Sequence, residues 1–409
     1  MANRKYDFDK VVDRRGTGCV KWDEPTPVPV DHPEDIIPMW VADMDFPAMP
    51  EITEALAERV RHGVFGYNIV PRKYYDSVVN WYGKRYGWKI DPSWIEYTTG
   101  IVPGMTVVIK ALTDPGEKVL ILTPAYNCFF SSTKNDEREL VECPLIFDPQ
   151  TRRHTIDFEL FERQCSDPKV KLFLFCNPHN PSGRVWSVDE LTKIGEICRR
   201  HGVIVASDEI HCEIVMPGHK FTPFASVSPE NQACCVTMNA ASKSFNIAGL
   251  QMGNIITSNP EWRKKINRVI NVNEVCDVNA FGQIALEQAY TPAGAEWLKE
   301  LNEYIYGNFK SMKELFGKWI PQCTVTELEG TYLAWVDVRP LGMPSVEIRN
   351  SLLQNEKVWI NDGTMYGKDG FMRINLATPK ALADEGFLRI VRGFRRILGE
   401  TKGLKEAKG

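Results

Sequence analysis

Four chemically different side chains each follow a short apolar run of the sequence. They are Tyr126, Asn177, Asp208 and Lys243, which come after the runs 119–122, 170–176, 203–206 and 234–238. Runs this short and this apolar are typical of strands buried on both faces of a parallel sheet. The carboxyl ends of such strands line one edge of the sheet, where ligands bind. The sequence therefore predicts that a phenol, an amide, a carboxylate and an amine converge on one crevice.

An amine and a carboxylate at such an edge can serve an aldehyde cofactor. Burial lowers the pKa of a lysine such as Lys243, and the neutral amine can then form a Schiff base with an aldehyde. Pyridoxal phosphate carries such an aldehyde, and Asp208 can keep its pyridine nitrogen protonated so that the ring accepts electrons from the substrate. Asn177 and His211 can hydrogen-bond the ring oxygen, and Tyr126 can stack on the ring. We therefore predict pyridoxal 5'-phosphate on Lys243.

The phosphate of this cofactor has a candidate site in the segment 98–104. Gly100, Ile101 and Val102 lie just before an apolar stretch with helical spacing. The first turn of a helix has backbone N–H groups without intrahelical partners, and these groups bind anions. Ser242, next to the lysine, can add a hydroxyl group. The sequence thus predicts a phosphate site built from backbone and hydroxyl donors.

Each of these residues also has an ordinary structural explanation. A lone lysine after a strand, such as Lys243, is usually solvated. Asp208 alone could cap a helix, and Asn177, which precedes a proline, could form a turn. Tyr126 could belong to the core and Gly100 could interrupt a loop. The order of all five along the chain favours the cofactor site over these separate explanations.

The overall composition favours an enzyme of small molecules. The chain has 49 basic and 53 acidic residues, a net charge of -4 and no long run of one sign, so we expect neither nucleic acid nor a membrane as a partner. The eleven cysteines lack Cys-x-x-Cys spacing, which predicts reduced thiols in the cytoplasm and no metal site. An apolar signal segment is absent from the first residues, and no stretch approaches the roughly 20 apolar residues of a membrane span.

Apolar runs that alternate with amphipathic stretches predict an α/β fold with a mostly parallel sheet. The clearest helix covers 188–200. Ser187 and Glu190 have the spacing of a capping box at its start, and Gly202 can adopt the left-handed conformation that ends it. The sequence thus predicts a strand, helix, strand unit.

The pattern changes towards both ends of the chain. The proline-rich segment 25–50 cannot form a regular helix or a central strand, and we predict an extended arm. After residue 290 a long helical stretch, shorter strands and a closing helix follow. We predict a large cofactor-binding domain over 51–290, and a smaller α+β domain formed by 1–50 and 291–409.

Three ordered motifs resemble the fold-type I pyridoxal-phosphate enzymes of the class I and II aminotransferase superfamily. They are NPHNPSG at 177–183, SDEIH at 207–211 and SKSFNIAG at 242–249. The resemblance covers nearly the whole chain. It implies a three-layer large domain and a smaller α+β domain.

Further segments resemble the MalY/PatB branch of carbon–sulfur β-lyases within that superfamily. They are the arm 8–23, MWVADMDF at 39–46 and GFMRIN at 370–375. This resemblance implies a substrate site formed by Arg373, Val41, Ala42 and Asn177, in which the arginine binds the α-carboxylate as a bidentate fork. It also implies that Tyr67 reaches the cofactor phosphate of a neighbouring subunit, and hence a homodimer with shared active sites.

The chain departs from the general superfamily pattern at three places. Gln251 stands where many relatives have a phosphate-binding arginine, and Ala240 stands where many have glycine or serine. The segment 269–282 contains no arginine or lysine, although dicarboxylate aminotransferases place a second arginine near there. The first two departures leave phosphate binding to backbone N–H groups and hydroxyls, and Gln251 weakens the aminotransferase alternative. The third disfavours a dicarboxylate substrate.

The resemblance implies a pyridoxal-phosphate-dependent cystathionine β-lyase or cysteine-S-conjugate β-lyase. Such an enzyme cleaves L-cystathionine, L-cysteine or a related conjugate to a thiol or hydrogen sulfide, pyruvate and ammonia. An aminotransferase of an L-amino acid is the alternative, because both reactions begin with removal of the Cα proton. A regulatory or protein-binding scaffold that has kept the fold is a third reading. The sequence does not indicate which sulfur amino acid is preferred.

Overall fold

The computed structural model describes residues 5–400. The helices in this part are α1 (Val20–Asp23), α2 (Pro50–His62), α3 (Arg72–Tyr86), α4 (Ile101–Leu112), α5 (Asn127–Asn135), α6 (Phe158–Cys165), α7 (Val188–His201), α8 (Pro229–Ala233), α9 (Pro260–Val272), α10 (Ala280–Ala289), α11 (Pro292–Trp319), α12 (Ser345–Glu356) and α13 (Lys380–Ile397). The strands are β1 (Ile37–Pro38), β2 (Ile95–Thr98), β3 (Lys118–Thr123), β4 (Glu139–Pro144), β5 (Ile146–Asp148), β6 (Arg153–Thr155), β7 (Val170–Cys176), β8 (Ile204–Asp208), β9 (Cys235–Asn239), β10 (Gly253–Ile256), β11 (Thr324–Val325), β12 (Leu333–Asp337), β13 (Val358–Trp359), β14 (Asn361–Asp362) and β15 (Phe371–Asn375).

The main sheet has seven strands in the order β2-β10-β9-β8-β7-β3-β4. The five strands from β9 to β4 are parallel to one another, whereas β10 is antiparallel to both of its neighbours. A parallel neighbour of β9 would need a crossover, usually a helix, but only a short 3-10 turn lies between β9 and β10. The predicted α/β class with a mostly parallel sheet is confirmed, and β10 is the strand of this sheet that runs the opposite way.

The centre of the main sheet is covered on both faces. In β7 the side chains of Leu172, Phe173, Leu174 and Phe175 are at most 1% exposed. Burial of each such side chain contributes about 1.5–3 kcal/mol to folding. This buried sheet gives the polar residues at its carboxyl edge a rigid support.

Helix α7 has both of the predicted end signals. The Ser187 hydroxyl accepts the backbone N–H of Glu190 at 3.2 Å, and the Glu190 carboxylate accepts the backbone N–H of Ser187 at 2.8 Å. Gly202 ends the helix with a φ of 69°. The predicted capping box and left-handed stop are therefore confirmed, and α7 connects β7 to β8 as a crossover helix.

A second, antiparallel sheet has the strand order β11-β12-β15-β14 and lies among the C-terminal helices. The proline-rich arm joins this part of the molecule, because β1 pairs with β13 through Ile37 and Val358. As predicted, the segment 25–50 forms no α-helix before Pro50. The division into domains at 51–290 stays a prediction, and the terminal residues 1–4 and 401–409 lie outside the described part.

The longest helix, α11, has 28 residues and begins close to the end of α10. A Cβ atom at Gly294 would lie 1.8 Å from the carbonyl oxygen of Ala289, so only glycine allows this approach. Charged side chains occur along its length, and no helix in residues 5–400 is long and apolar enough to span a bilayer. The helix instead packs its apolar face against the core.

Candidate active site

Most of the residues predicted from the sequence line one cavity of about 510 Å³. The lining residues among them are Lys243, Asp208, His211, Tyr126, Gly100, Ile101, Val102, Ser242, Arg373, Val41 and Ala42. The cavity lies where β7 and β8 end, and the second sheet contributes the opposite wall through β15. The predicted convergence at one edge of the sheet is therefore present, and Asn177 and Tyr67 are its two exceptions.

Lys243 follows β9 in a buried loop. Its Nζ donates a hydrogen bond of 2.7 Å to the backbone oxygen of Ala42. Burial lowers the pKa of Lys243, and the positive charge of Arg373 lowers it further, while the carboxylates of Asp43 and Asp208 act in the opposite direction. The amine is therefore neutral, and so nucleophilic, over a wider pH range than a solvated lysine.

Asp208 is the last residue of β8 and is 3% exposed. One of its carboxylate oxygens accepts the backbone N–H of Ile210 at 3.1 Å. Burial raises the pKa of Asp208 to about 7, against the smaller opposing effects of that hydrogen bond and of Lys243. A further positive charge beside this carboxyl group would keep it ionised at neutral pH.

His211 and Tyr126 add two neutral rings to the cavity. Burial lowers the pKa of His211 to about 3, and the charges of Lys243 and Arg373 contribute in the same direction. The imidazole is therefore uncharged, and its buried Nδ1 has no hydrogen-bond partner among residues 5–400. Burial raises the pKa of Tyr126 above its ordinary value, so this side chain is a neutral phenol.

Asn177 does not lie where the prediction put it. Its backbone N–H pairs with the Asp208 oxygen at 2.9 Å, so it continues β7, and its side-chain amide donates to the Thr222 oxygen at 3.1 Å. Asn180, the second asparagine of the same motif, lines the cavity and accepts a hydrogen bond of 3.1 Å from Arg373. Asn180 is thus the amide that the structure brings to the site.

Arg373 is buried in the middle of β15. One guanidinium nitrogen contacts Asn180 and another donates to the Trp40 oxygen at 2.8 Å. The guanidinium lies over the Tyr366 ring at 4.7 Å from the ring centroid, and within the described part of the chain its buried Nε has no hydrogen-bond partner. A guanidinium that stacks on a ring and makes two hydrogen bonds is fixed in orientation, and it can bind a carboxylate as a bidentate fork.

The start of α4 lies at the cavity, where we predicted the phosphate site. Gly100 has a φ of 142°, which favours glycine, and the following residues Ile101 and Val102 line the cavity. Their backbone N–H groups belong to the first turn of the helix, which has no intrahelical acceptors for them. Gln251, with a φ of 49°, and Ser242 complete this end of the cavity.

The segment 40–46 forms a wall of the cavity and is held through its backbone. Asn375 donates 2.6 Å hydrogen bonds to the oxygens of both Val41 and Asp43. The Tyr332 hydroxyl donates to the Ala42 oxygen at 2.8 Å. Asn246, three residues after the lysine, accepts the Met44 N–H at 3.0 Å. Sequence reasoning missed Tyr332, Asn375, Asn246 and Asn180.

Tyr67 lies away from this cavity and is 97% exposed. It lines a smaller surface cavity of about 220 Å³ together with Phe65 and Val278. In a single chain it therefore has no access to the site around Lys243. Its predicted reach into a neighbouring subunit stays a prediction.

The donor set fits pyridoxal 5'-phosphate at each of its functional groups. The Lys243 amine suits the aldehyde, and the unpaired Nδ1 of His211 suits a polar ring substituent. The buried carboxyl of Asp208 suits a protonated ring nitrogen, because a positive charge there would oppose the burial that raises the pKa of this carboxyl. The first turn of α4 suits the phosphate.

Residues 34–390 match the family model described as aminotransferase class I and II. The chain is 40% identical to Cystathionine beta-lyase PatB of Bacillus subtilis, over 94% of this chain and 98% of that protein. It is 30% identical to Protein MalY of Escherichia coli, over 96% of this chain and 100% of that protein. The structure of cystalysin from Treponema denticola, which contains pyridoxal 5'-phosphate, superposes with a TM-score of 0.91 at 34% identity, covering 96% of this chain and 99% of that one. The chain therefore belongs to the pyridoxal-phosphate-dependent class I and II aminotransferase family, in its MalY/PatB branch.

Proposed function

We propose that this protein is a pyridoxal-phosphate-dependent carbon–sulfur β-lyase. Its substrate would be L-cystathionine, L-cysteine or a related cysteine S-conjugate, and its products a thiol or hydrogen sulfide, pyruvate and ammonia. The observation that carries the proposal is the meeting of Lys243, Asp208 and Arg373 in one cavity. The extended similarity to cystathionine β-lyase PatB supports the choice of reaction.

The cofactor contacts are proposed residue by residue. Lys243 would hold the cofactor covalently, Asp208 would face its ring nitrogen, and Tyr126 would cover one ring face. Asn180 would take the role first predicted for Asn177. The remaining contacts would come from His211, Gly100, Ile101, Val102 and Ser242. When bound, the cofactor supplies an aldehyde that condenses with amines and a ring that withdraws electrons from the substrate Cα.

The substrate would be oriented by the wall opposite the cofactor. Arg373 would bind the α-carboxylate through its fork, and the backbone of Val41 and Ala42 would contact the amino acid. The amine of the substrate would replace Lys243 on the cofactor, and the freed Lys243 amine, whose pKa burial lowers, would then accept the Cα proton. The electron pair of the broken Cα–H bond would then form the Cα=Cβ bond, and the sulfur would leave Cβ with the pair of the C–S bond and take up a proton. Water would finally convert the remaining fragment to pyruvate and ammonia.

An aminotransferase is the second candidate, because the matching family model carries that description. A lyase and an aminotransferase share the removal of the Cα proton, and they differ in whether the sulfur is expelled. The test is incubation of the purified, cofactor-loaded protein with cystathionine or cysteine and no keto acid. A lyase releases pyruvate over many turnovers, whereas an aminotransferase stops after one turnover until an acceptor is added. Absence of sustained pyruvate release would contradict the proposal.

We also propose that the protein is a homodimer with shared active sites. The chain around Tyr67 exposes several large apolar side chains, and Val64, Phe65 and Ile69 are 64%, 55% and 81% exposed. Such a cluster is more typical of an interface than of a free surface. Sedimentation of the loaded protein should give twice the chain mass, and Tyr67→Ala should weaken cofactor binding. A monomer with full cofactor affinity would contradict this.

A cytoplasmic location is proposed from the cysteines. All eleven are free thiols in the structure, and seven of them are buried. Free thiols persist in reducing compartments. Fractionation of cells that produce the protein would test the location, and recovery outside the cytoplasmic fraction would contradict it.

A further inference from the structure

The segment 8–23, here called the N-terminal arm, and the segment 40–46, which forms a wall of the active site, bring four charged residues together. Arg14 and Lys21 come from the arm, and Asp43 and Asp45 come from the segment 40–46. We call these four residues the arm cluster. Lys21 and Asp45 are 1% and 2% exposed, so the cluster lies largely within the protein.

The contacts within the arm cluster are direct and short. Arg14 binds the Asp43 carboxylate through both terminal nitrogens, at 3.2 and 2.6 Å, and reaches Asp45 at 2.8 Å. Lys21 donates to Asp45 at 2.6 Å. Trp22 donates to the same carboxylate at 2.9 Å. Burial alone would raise the pKa of Asp45, but Lys21, Trp22 and Arg14 together hold it below its ordinary value.

Stability alone does not account for such a cluster. Removal of charged groups from water is costly, and well-packed apolar residues in place of a buried ion pair often leave stability unchanged or raise it. Between residues 5 and 32 the only regular element is the four-residue helix α1, so side-chain contacts rather than a backbone ladder hold the arm in place. The cluster fixes the arm and, with it, the segment 40–46.

The arm cluster is one residue away from the atom that holds the amine. The Ala42 oxygen accepts the Lys243 Nζ at 2.7 Å, and Asp43 follows directly. Arg14 also donates to the Met44 oxygen at 3.0 Å, so the arm cluster holds the backbone just after Ala42. The position of this oxygen therefore depends on the arm.

We propose that Arg14 and Asp43 are positioning residues for Lys243: the arm cluster fixes the Ala42 oxygen against Nζ and sets the charge that the amine experiences. This proposal rests on the proposed role of Lys243 as the amine that holds the cofactor. It assigns to the arm a function in the chemistry of the site, in addition to its packing. The charged or titratable groups near Lys243 include Asp43 from the segment 40–46, Asp208 and His211 from the end of β8, Cys128 from α5 and Arg373 from β15. Tyr332 also lies close, because its hydroxyl binds the same Ala42 oxygen.

The two positioning residues act on the amine with opposite signs. Asp43 favours the protonated amine, and Arg14 partly neutralises Asp43. Loss of the arginine charge in Arg14→Met should therefore favour the protonated form, whereas loss of the carboxylate charge in Asp43→Asn should disfavour it. A purely structural defect would not produce shifts of opposite sign.

The test is a pH titration of the visible absorption band of the cofactor-loaded protein. We expect the midpoint to rise by about 0.5–1 pH unit in Arg14→Met and to fall by a similar amount in Asp43→Asn. The midpoint of the double variant should lie close to that of the unsubstituted protein. Arg14→Lys keeps the positive charge, so its midpoint should also equal that of the unsubstituted protein. Arg15→Met is the matched control, because this neighbouring arm residue is outside the cluster, and its midpoint should not move.

Two results would overturn the proposal. One is a shift of both single variants in the same direction, and the other is an unchanged midpoint in both while the melting temperature falls. If Arg14→Met does not fold, Arg14→Gln and Asp43→Asn provide the same comparison with smaller changes of shape. Opposite shifts without pyruvate release would support this inference and contradict the lyase proposal. Pyruvate release with unchanged midpoints in both variants would support the lyase proposal and contradict this inference.

Discussion

Arg373 and Asn180 connect the two sheets of the molecule through a hydrogen bond of 3.1 Å. Arg373 lies in the middle of β15 in the antiparallel sheet, and Asn180 lies in the loop that follows β7 in the main sheet. The backbone oxygen of Trp40 holds the other end of the guanidinium at 2.8 Å. The guanidinium that we propose binds the substrate carboxylate is thus oriented by residues from both sheets and by the segment 40–46.

Substitution Arg373→Lys should weaken substrate binding more than it slows the reaction. Lysine keeps the positive charge but cannot form the bidentate fork or stack on Tyr366. Loss of one charge-assisted hydrogen bond costs about 1.5–3 kcal/mol, so we expect KM to rise roughly 10- to 100-fold. Pyruvate release at varied cystathionine concentrations measures this. Arg72→Lys, at an exposed position, should leave KM unchanged; an unaltered KM in Arg373→Lys would contradict the assignment.

Substitution Lys243→Ala should remove both the covalent link to the cofactor and the reaction. The expected loss is at least about 10³-fold, within the range for removal of a general base that is also the covalent anchor. Absorption spectra and pyruvate assays measure the two effects separately. Lys220→Ala at the surface is the matched control and should behave like the unsubstituted protein. A lyase rate comparable to the control, with an unchanged cofactor spectrum, would refute the role of Lys243.

Two glycines of the same helix provide a test of the packing. Gly294→Ala should destabilise the protein by about 1–3 kcal/mol or more, because the new Cβ would overlap the Ala289 oxygen at 1.8 Å. Gly307→Ala in the same helix meets nothing within 4 Å and should raise stability by about 0.5–1 kcal/mol. Urea unfolding of both variants measures the difference. Equal effects at the two positions would show that the close contact between α10 and α11 is wrong.

The order of motifs along the chain predicted that Tyr126, Asp208 and His211 would line one cavity with Lys243, and the structure places them there. The carboxyl ends of parallel strands share one edge, so residues that follow such strands must converge. From this motif we predicted Asn177, but the exact end of β7 decides which of its two asparagines faces the cavity, and the structure brings Asn180 there. The pattern also gave no direction for β10, because burial reveals a strand but not which way it runs.

The residues that support the wall at 40–46 could not be predicted in this way. Tyr332 binds the Ala42 oxygen across 290 residues of sequence, and Asn375 binds the Val41 oxygen across 334. Each donor acts on a backbone carbonyl, which carries no side-chain signature in the sequence. Only the tertiary arrangement of the second sheet brings these donors to the segment.

The raised pKa of Asp208 makes the stability of the cofactor-free protein depend on pH. Its folded value of about 7 lies above the ordinary 3.8, so the folded state favours the protonated carboxyl. This contribution to stability is fully present below pH 4 and is lost as the pH rises through 7. A shift of this size corresponds to roughly 4 kcal/mol as an upper bound.

Substitution Asp208→Asn should therefore stabilise the cofactor-free protein increasingly as the pH rises. An amide resembles the neutral carboxyl, so the two proteins should be similar near pH 4 and differ by up to about 4 kcal/mol at pH 8. Melting temperatures across this range measure the difference. Asp13→Asn, at an exposed site, should show no such growth with pH. With the cofactor bound, a positive ring nitrogen beside Asp208 would favour the carboxylate, so the advantage of asparagine should shrink or reverse and turnover should fall. A difference that stays constant with pH would contradict the burial of an ionisable group at this position.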